Sequence, residues 1–483
     1  MSNLQKVFKD IKKETKNYIY DIKSGNKIFY NDIYKDALKK YTFLSKYKNR
    51  KILVIINNSI DYLELLLATI LSGNIFCPIP YFTSSNEIKK TYNYLNPIFL
   101  ITDKELLIDI KKKDRVIHIH KLKIFNDKFK INLIKNSDIA CIYYSSGTTS
   151  DPKGVLYSHN NIFYLINSIN RDFKFHNKSK HLVCLPFGHT ASINYSILPS
   201  LFLKSTLIIA ESFLDISDKF FYLLSLYKIT YVQLVPTIAI MLLKINENIN
   251  KLNFKSIDYI GCGSSTLPKE IQDQFFKKFN LKLANLYGLS ETGPSHFDNP
   301  ILKTWKSGLI GKPLSVNKCK ISKEGEILLK GKNIFVGYYK NKKLYDKVVK
   351  NGWFKTGDLG KKISSNTFQF IDRKKDLIIK GGINIVPAEI EEYFYTFTQI
   401  KEVAVVGIED TINGEEIYCC ITLKNRKDYK KLLENINSYL KKNISSFKIP
   451  KKIFIIDKMP LTKSGKIKRK DAKILIKEEL NNE

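Results

Sequence analysis

Short apolar runs rich in β-branched residues alternate with helix-length segments from Lys51 to Phe279, and this alternation constrains the fold more than any other feature. Lys51–Ile56 reads as a buried strand, and Tyr62–Leu71 as an apolar helix stopped by Gly73. Ile75–Pro80 is a second strand, followed by a helix over Glu87–Tyr94 and a strand over Ile98–Thr102. The pattern continues with a helix at Asn161–Asn170 and strands at His181–Pro186, Leu207–Ala210, Tyr231–Val235 and Ile257–Ile260. Helices at Ser217–Tyr227 and Pro268–Phe279 lie between the later strands. Strands joined through helices run parallel, and parallel sheets need helices on both faces, so the spacing predicts an α/β fold. Nothing repeats at a solenoid period, and no low-complexity linker interrupts the chain.

Past Leu314 the character changes. Lys320–Ser322, Glu326–Lys330 and Phe368–Ile371 read as short strands joined by glycine turns, which predicts a small β-barrel. From about Lys374 a third pattern begins with Ile378–Ile379, a helix at Pro387–Tyr395 and strands at Glu402–Gly407 and Tyr418–Leu423. A helix at Tyr429–Asn443, a strand at Ile453–Ile456 and a basic terminal helix complete a small α+β unit. A chain of 483 residues exceeds what one core holds. The expected division is a large N-terminal domain, 1–372, and a small mobile C-terminal domain, 373–483, hinged at Asp372–Asp376.

The apolar fraction of 44% and charged fraction of 26% suit a soluble globular protein, but 80 basic against 46 acidic residues give +34. Such a charge suits nucleic acid, an anionic membrane or an acidic partner. The lysines are scattered rather than gathered in one block, which favours compositional drift over a specific nucleic-acid site. Seven cysteines contain no Cys-x-x-Cys pair, so they read as small buried hydrophobes of a reducing compartment. Met1–Lys16 has no apolar core of a signal peptide, and Ile229–Leu243 is too short to span a bilayer, so a cytoplasmic location is expected.

Ile139–Tyr144 reads as a buried strand that runs into Ser145, Ser146, Gly147, Thr148, Thr149 and Ser150, then Asp151-Pro152-Lys153-Gly154. These are turn-formers, and their hydroxyls, open backbone N–H groups and one lysine suit a polyphosphate. The spacing is not that of a Walker loop. The stretch resembles the phosphate loop of the adenylate-forming superfamily of acyl-CoA synthetases, aryl-CoA ligases, luciferases and adenylation domains, which usually have Gly at the place of Ser150.

Further motifs extend the resemblance in the family's order to Lys466, and each role below is what it implies. In Asn285-Leu-Tyr-Gly-Leu-Ser-Glu-Thr-Gly293, Asn285 meets the adenine edge, Tyr287 packs on its face beside Gly288, Ser290 (usually Thr) contacts the α-phosphate and Glu291 holds Mg²⁺. A carboxylate suits a hard cation, and an aromatic ring suits a base. In Gly352-Trp-Phe-Lys-Thr-Gly-Asp-Leu359, Asp358 accepts both ribose hydroxyls, and Arg373 supports ribose and phosphates. Glu326 and Gly337-Tyr338-Tyr339 take structural roles. Gly381 and Gly382 lie against the pantetheine of CoA, and the hinge position falls on Lys375. In Pro460-Leu-Thr-Lys-Ser-Gly-Lys466, Lys466 is the catalytic lysine that bridges carboxylate and α-phosphate. His189 corresponds to a histidine near the acyl pocket, to which Thr190, Ala191, Ser192, Asn194, Cys262 and Ser264 contribute.

The resemblance implies an acid–thiol ligase that uses ATP, Mg²⁺ and CoA to turn a fatty, aryl or other organic carboxylic acid into a thioester through an acyl-adenylate. The Phe-Asp signature that anchors an α-amino group is missing near His189, which weighs against an amino acid. Two rivals stay open. One enzyme would load a carrier protein's phosphopantetheine, for which an acidic partner suits the basic surface. The other is a silent nucleotide- or nucleic-acid-binding protein. A homodimer is compatible with everything above, as is a monomer.

Overall fold

The computed structural model describes residues 1–106, 113–122, 131–145, 153–245, 249–303, 305–381, 383–425, 429–462 and 467–481. Two layered sheets form the large part. In the nine-stranded sheet the order runs Lys312–Pro313, Gly293–Phe297, Leu283–Leu289, Tyr259–Gly263, Tyr231–Leu234, Lys180–Val183, Thr206–Ile209, Tyr18–Asp21 and Lys27–Phe29. The six strands from Leu283–Leu289 to Tyr18–Asp21 are parallel, and antiparallel strands close both edges. In the seven-stranded sheet the order is Gly337–Tyr338, Lys153–Ser158, Ile139–Ser145, Ile75–Pro78, Lys51–Ile55, Phe99–Thr102 and Val116–His118. The α/β class expected from the alternation is observed, with every strand it named from Lys51 to Thr102 in place.

The apolar helix Ile60–Ser72 is buried along almost its whole length, with Ser59 accepting from the Tyr62 N–H at its start. Gly73 ends it at φ +77°, a left-handed conformation that glycine adopts at no steric cost. One continuous core joins both sheets to Ile327, Leu329, Phe354 and Phe368 of a five-stranded half-barrel. That half-barrel contains Asn317–Ile321, Glu326–Gly331, Trp353–Ser364, Thr367–Arg373 and Val349–Lys350.

The last sheet begins at Ile378 and builds from Ile378–Lys380, Ile383–Ile385, Ile400–Asp410, Gly414–Leu423 and Lys452–Ile455. Successive residues of Ile400–Asp410 feed two cores. Val403 and Val405 pack with Ile390 and Ile436, while Ala404 and Val406 pack with Ala472 and Ile476. A strand's two-residue period therefore places helices on both faces of this sheet. The helices Pro387–Tyr395 and Tyr429–Asn443 have the bounds expected from sequence.

Some elements differ from expectation. The Asn285–Gly293 motif begins within a strand, Leu283–Leu289, that folds back through Gly293–Phe297, and its polar residues pair within the sheet. The strand expected at Ile257–Ile260 lies at Tyr259–Gly263. Trp353–Ser364 is a twelve-residue strand that exposed lysines and two glycines concealed. Among the described residues, no helix is long and apolar enough to cross a membrane.

Candidate active site

The hairpin Leu283–Leu289/Gly293–Phe297 carries Asn285, Tyr287, Gly288, Ser290 and Glu291, and a β-bulge between Tyr287 and Gly288 re-aims its tip. A Cβ on Gly288 would lie 2.3 Å from the Gly293 carbonyl oxygen, so only glycine lets the bulge close. Thr292 locks the turn, its Oγ1 accepting from the Leu289 N–H at 3.1 Å and donating to the Gly293 carbonyl at 2.6 Å.

Two tyrosines seat this tip on the neighbouring sheet. The Tyr157 hydroxyl donates to the Ser290 carbonyl at 2.9 Å, and the Tyr338 hydroxyl donates to Glu291 Oε1 at 2.8 Å. The Phe335 N–H donates to the Glu291 carbonyl at 2.9 Å. Tyr338 pairs with Val155, and Lys153 pairs with Ser145, so the same antiparallel ladder carries Glu291's partner and both residues that flank positions 146–152. Ser146, Gly147, Thr148 and Thr149 lie outside the described residues.

Asp358 supplies the second half of the site. It is 3% exposed, accepts from the Tyr287 hydroxyl at 2.7 Å and lies 3.5 Å from Arg373 Nε. Burial pushes its carboxyl up to about 6, against the pull of the Arg373 cation and the Tyr287 hydrogen bond. Asp358 and Arg373 are cross-strand partners, which is why the chain brings them together. Glu326, assigned a structural role from sequence, fixes the turn before Asp358. Its Oε1 accepts from the Gly357 N–H at 2.9 Å, while Thr356 Oγ1 donates to the Ile327 carbonyl at 2.7 Å.

Of the residues expected around the acyl group, Asn194 and Cys262 approach the same hairpin. Gly188 packs so tightly on Ile79 that a Cβ would lie 2.3 Å from its carbonyl carbon. His189 Nδ1 accepts from the Ala191 N–H at 3.3 Å and so caps Thr190–Ser192. A π-helical turn, Ile193–Ile197, follows and buries Asn194, whose Nδ2 lies 3.3 Å from where a Cβ on Gly293 would project. Such turns interrupt helices most often at functional sites. Ser192 Oγ donates to the Pro186 carbonyl at 2.9 Å. Cys262 is fully buried opposite Asn285, and burial raises its thiol far above the usual range. Ser264 follows at φ +71°. Asn285 Nδ2 donates to the Leu309 carbonyl at 3.0 Å, which fixes its side chain.

At the expected hinge position, Lys375 stays exposed overall, yet its ammonium lies below the usual lysine range. Desolvation is the first cause; Asp376 opposes it, and Arg373 and Lys153 add like charge. Gly381 adopts φ +56°, and a Cβ there would meet no atom within 4 Å. Left-handed backbone rather than crowding therefore requires glycine at 381 in this arrangement. Gly382 and Lys466 lie outside the described residues. The chain on either side of residues 463–466 is closed by a bridge between Leu461 and Ile467 and by the Lys468 N–H donating to the Pro460 carbonyl at 2.8 Å.

Sequence reasoning missed Tyr157, Arg469, Glu391 and Asp372. Arg469 pairs with both carboxylate oxygens of Glu391, and its NH2 to Oε2 distance is 2.8 Å. The guanidinium also donates to the Val405 carbonyl at 3.0 Å, but in the sequence it hides in a basic run. Tyr157 has no sequence signal.

A family model described as AMP-binding enzyme matches residues 11–339, and one described as AMP-binding enzyme C-terminal domain matches residues 389–466. The chain is 34% identical over 368 residues to a long-chain-fatty-acid–CoA ligase of Bacillus subtilis (strain 168), a match spanning 71% of this chain and 62% of that ligase. It is 27% identical over 475 residues to a 2-succinylbenzoate–CoA ligase of Geobacillus sp. (strain WCH70), covering 95% and 94% of the two chains.

Among solved structures, ATP-bound MatB from Rhodopseudomonas palustris superposes with a TM-score of 0.87 at 22% identity, over 98% of this chain and 99% of that one. The o-succinylbenzoate CoA synthetase from Bacillus subtilis, in complex with its acyl-adenylate intermediate, gives 0.86 at 23% identity over 98% of each. The nucleotide-site motifs, the fold and the family match agree: this chain belongs to the AMP-binding enzyme family, the adenylate-forming superfamily that its sequence resembles.

Proposed function

We propose that this protein is an AMP-forming acid–thiol ligase that converts a carboxylic acid to its acyl-adenylate with ATP and passes the acyl group to CoA. The observation that carries this reading is the convergence of Tyr287, Glu291, Asp358 and Arg373 beside the ladder that pairs Ser145 with Lys153. The matched relatives that are CoA ligases support it.

In the first half-reaction a carboxylate oxygen of the acid attacks the α-phosphorus of ATP, the bond to the bridging oxygen breaks, and pyrophosphate leaves. Asp358 holds the ribose hydroxyls, Arg373 backs the ribose and phosphates, and Tyr287, fixed through its hydroxyl, offers its ring to the adenine. Asn285 faces the adenine edge, Ser290 the α-phosphate, and the hydroxyls of Ser145, Ser146, Thr148 and Thr149, with the Gly147 backbone and Lys153, hold the remaining phosphates. Lys466 spreads the charge that develops as the new bond forms. Most of the rate gain is then placement and neutralisation, as in other phosphoryl chemistry.

The residues present fit a magnesium ion. Tyr338 orients a single carboxylate, Glu291, and no group of three or more His, Cys, Asp or Glu side chains gathers among the described residues. One carboxylate plus ligand phosphates is the usual way that ion is held. When bound, it would neutralise phosphate charge.

In the second half-reaction the domain of residues 373–483 turns about Lys375 relative to residues 1–372. Gly381 and Gly382 then line the path of the thiol. Its sulfur attacks the acyl carbon and AMP departs with one oxygen of the original acid. One site thus serves two chemistries through a hinge. His189, Thr190, Ser192, Asn194, Cys262 and Ser264 surround the acyl group. The seven free thiols suit a reducing cytoplasm.

Pyrophosphate release measured across a library of carboxylic acids, with CoA, with a phosphopantetheinylated carrier protein and with neither, tests the proposal. The expected result is release that depends on a subset of acids and a thioester formed with CoA. Thioester on the carrier alone would replace CoA as the acceptor. Salt-sensitive nucleic-acid binding without release would overturn the enzyme reading.

A further inference from the structure

We propose that Asp372 is a positioning residue for the adenylate-forming half-reaction, holding the C-terminal domain in the orientation seen here by capping one of its helices from across the domain boundary. The inference rests on the hinge at Lys375 proposed above.

By strand pairing, Asp372 belongs to the half-barrel, where it lies opposite Leu359. It is buried, and both its oxygens are occupied. Oδ1 accepts from the Arg373 N–H at 2.7 Å, and Oδ2 accepts from the Ala388 N–H at 3.0 Å. Ala388 stands in the first turn of Pro387–Tyr395, the helix that leads the C-terminal domain.

That helix lacks a cap of its own. Its N-cap is Val386, which has no acceptor on its side chain, and Pro387 carries no N–H. Ala388 therefore presents the first N–H that needs a partner, and the carboxylate that meets it comes from the other side of the hinge. A negative charge at a helix N-terminus is favourable in its own right.

Burial raises the Asp372 carboxyl above its usual range, and the Arg469 cation opposes that shift. Arg469 is in turn clamped to Glu391, three residues after Ala388, and Asp372 and Asp376 add to the negative field around the guanidinium. Asp372 thus caps the helix start and lies in the field of the Arg469–Glu391 pair. A rotation about Lys375 would leave Ala388 uncapped and Asp372 with only the Arg373 N–H. The contact favours this one orientation and has no counterpart to offer the other.

The test uses the full chain with Asp372→Ala and Asp372→Asn, after each has been shown to melt cooperatively. Tryptic cleavage at Arg373, Lys374 and Lys375, read by mass spectrometry, reports the opening of the hinge. Loss of the cap in Asp372→Ala should speed it roughly ten-fold. Asp372→Asn keeps an acceptor for the Ala388 N–H and should fall between that variant and the native chain. Pyrophosphate formation should fall roughly ten-fold in Asp372→Ala, while transfer from supplied acyl-adenylate to CoA stays within about two-fold.

Unchanged cleavage, or equal loss in both half-reactions, would overturn the proposal. If the native chain forms no adenylate with any acid, the functional reading fails, and cleavage alone still decides the role of Asp372.

Discussion

Asp358→Asn should make the protein more stable at alkaline pH while removing its hold on nucleotides. In the folded chain the Asp358 carboxyl titrates near 6, against an ordinary 3.8, because burial disfavours the charged form more than Arg373 and Tyr287 restore it. The fold therefore prefers the protonated acid. Its contribution to stability is fully present below pH 3.8 and is lost as pH rises through about 6. The interval between those values corresponds to about 3 kcal/mol.

The amide keeps an oxygen to accept from Tyr287, whose bond to Asp358 is 2.7 Å, so that interaction survives. The attraction to Arg373 is lost too, but it is already contained in the net upward shift, and that side chain is 45% exposed, so water screens it. The variant should exceed the native chain by about 1–3 kcal/mol at pH 8 and lose that margin near pH 4. Urea unfolding followed through Trp305 and Trp353 at several pH values measures the margin. Native AMP affinity should weaken as pH falls through about 6, because ribose hydroxyls need the ionised carboxylate, and the variant should show no such dependence. A variant less stable at pH 8, or a margin that ignores pH, would refute the reasoning.

Gly288→Ala forces a Cβ to within 2.3 Å of the Gly293 carbonyl oxygen, so the hairpin must shift at a cost of about 3 kcal/mol, read as a lowered urea midpoint with weakened AMP binding. Arg469→Met leaves Glu391 buried without its cation and should cost about 3–5 kcal/mol, seen as faster amide exchange across Ile400–Asp410. Tyr338→Phe removes the 2.8 Å hydrogen bond that orients Glu291 and should raise the magnesium concentration for half-maximal pyrophosphate release by roughly five-fold.

The alternation of apolar strands and helices was legible because both faces of a parallel sheet are buried, so strands such as Ile75–Pro78 carry an unbroken hydrophobic signal. The half-barrel was harder to read. Trp353–Ser364 exposes Lys361, Lys362 and Ile363, and its glycines mimic turns. Short strands such as Lys27–Phe29, at the edge of the nine-stranded sheet, carry little pattern. Residues with motif support, such as Asp358 and Glu291, could be singled out as candidates from the sequence. What one sequence could not show was their company. Tyr157 acts from a buried strand, and Asp372 caps a helix whose first residue lies fifteen positions away. Arg469, set among lysines, carried no mark of the carboxylate it clamps.

The central claim is that one site joins the acid to the α-phosphate before any thiol enters. An accepted acid labelled with ¹⁸O in its carboxylate, turned over with ATP and CoA, reports this directly through mass spectrometry of the products. The account predicts one ¹⁸O atom in AMP and none in pyrophosphate. Label appearing in inorganic phosphate alongside ADP, with AMP unlabelled, would contradict it.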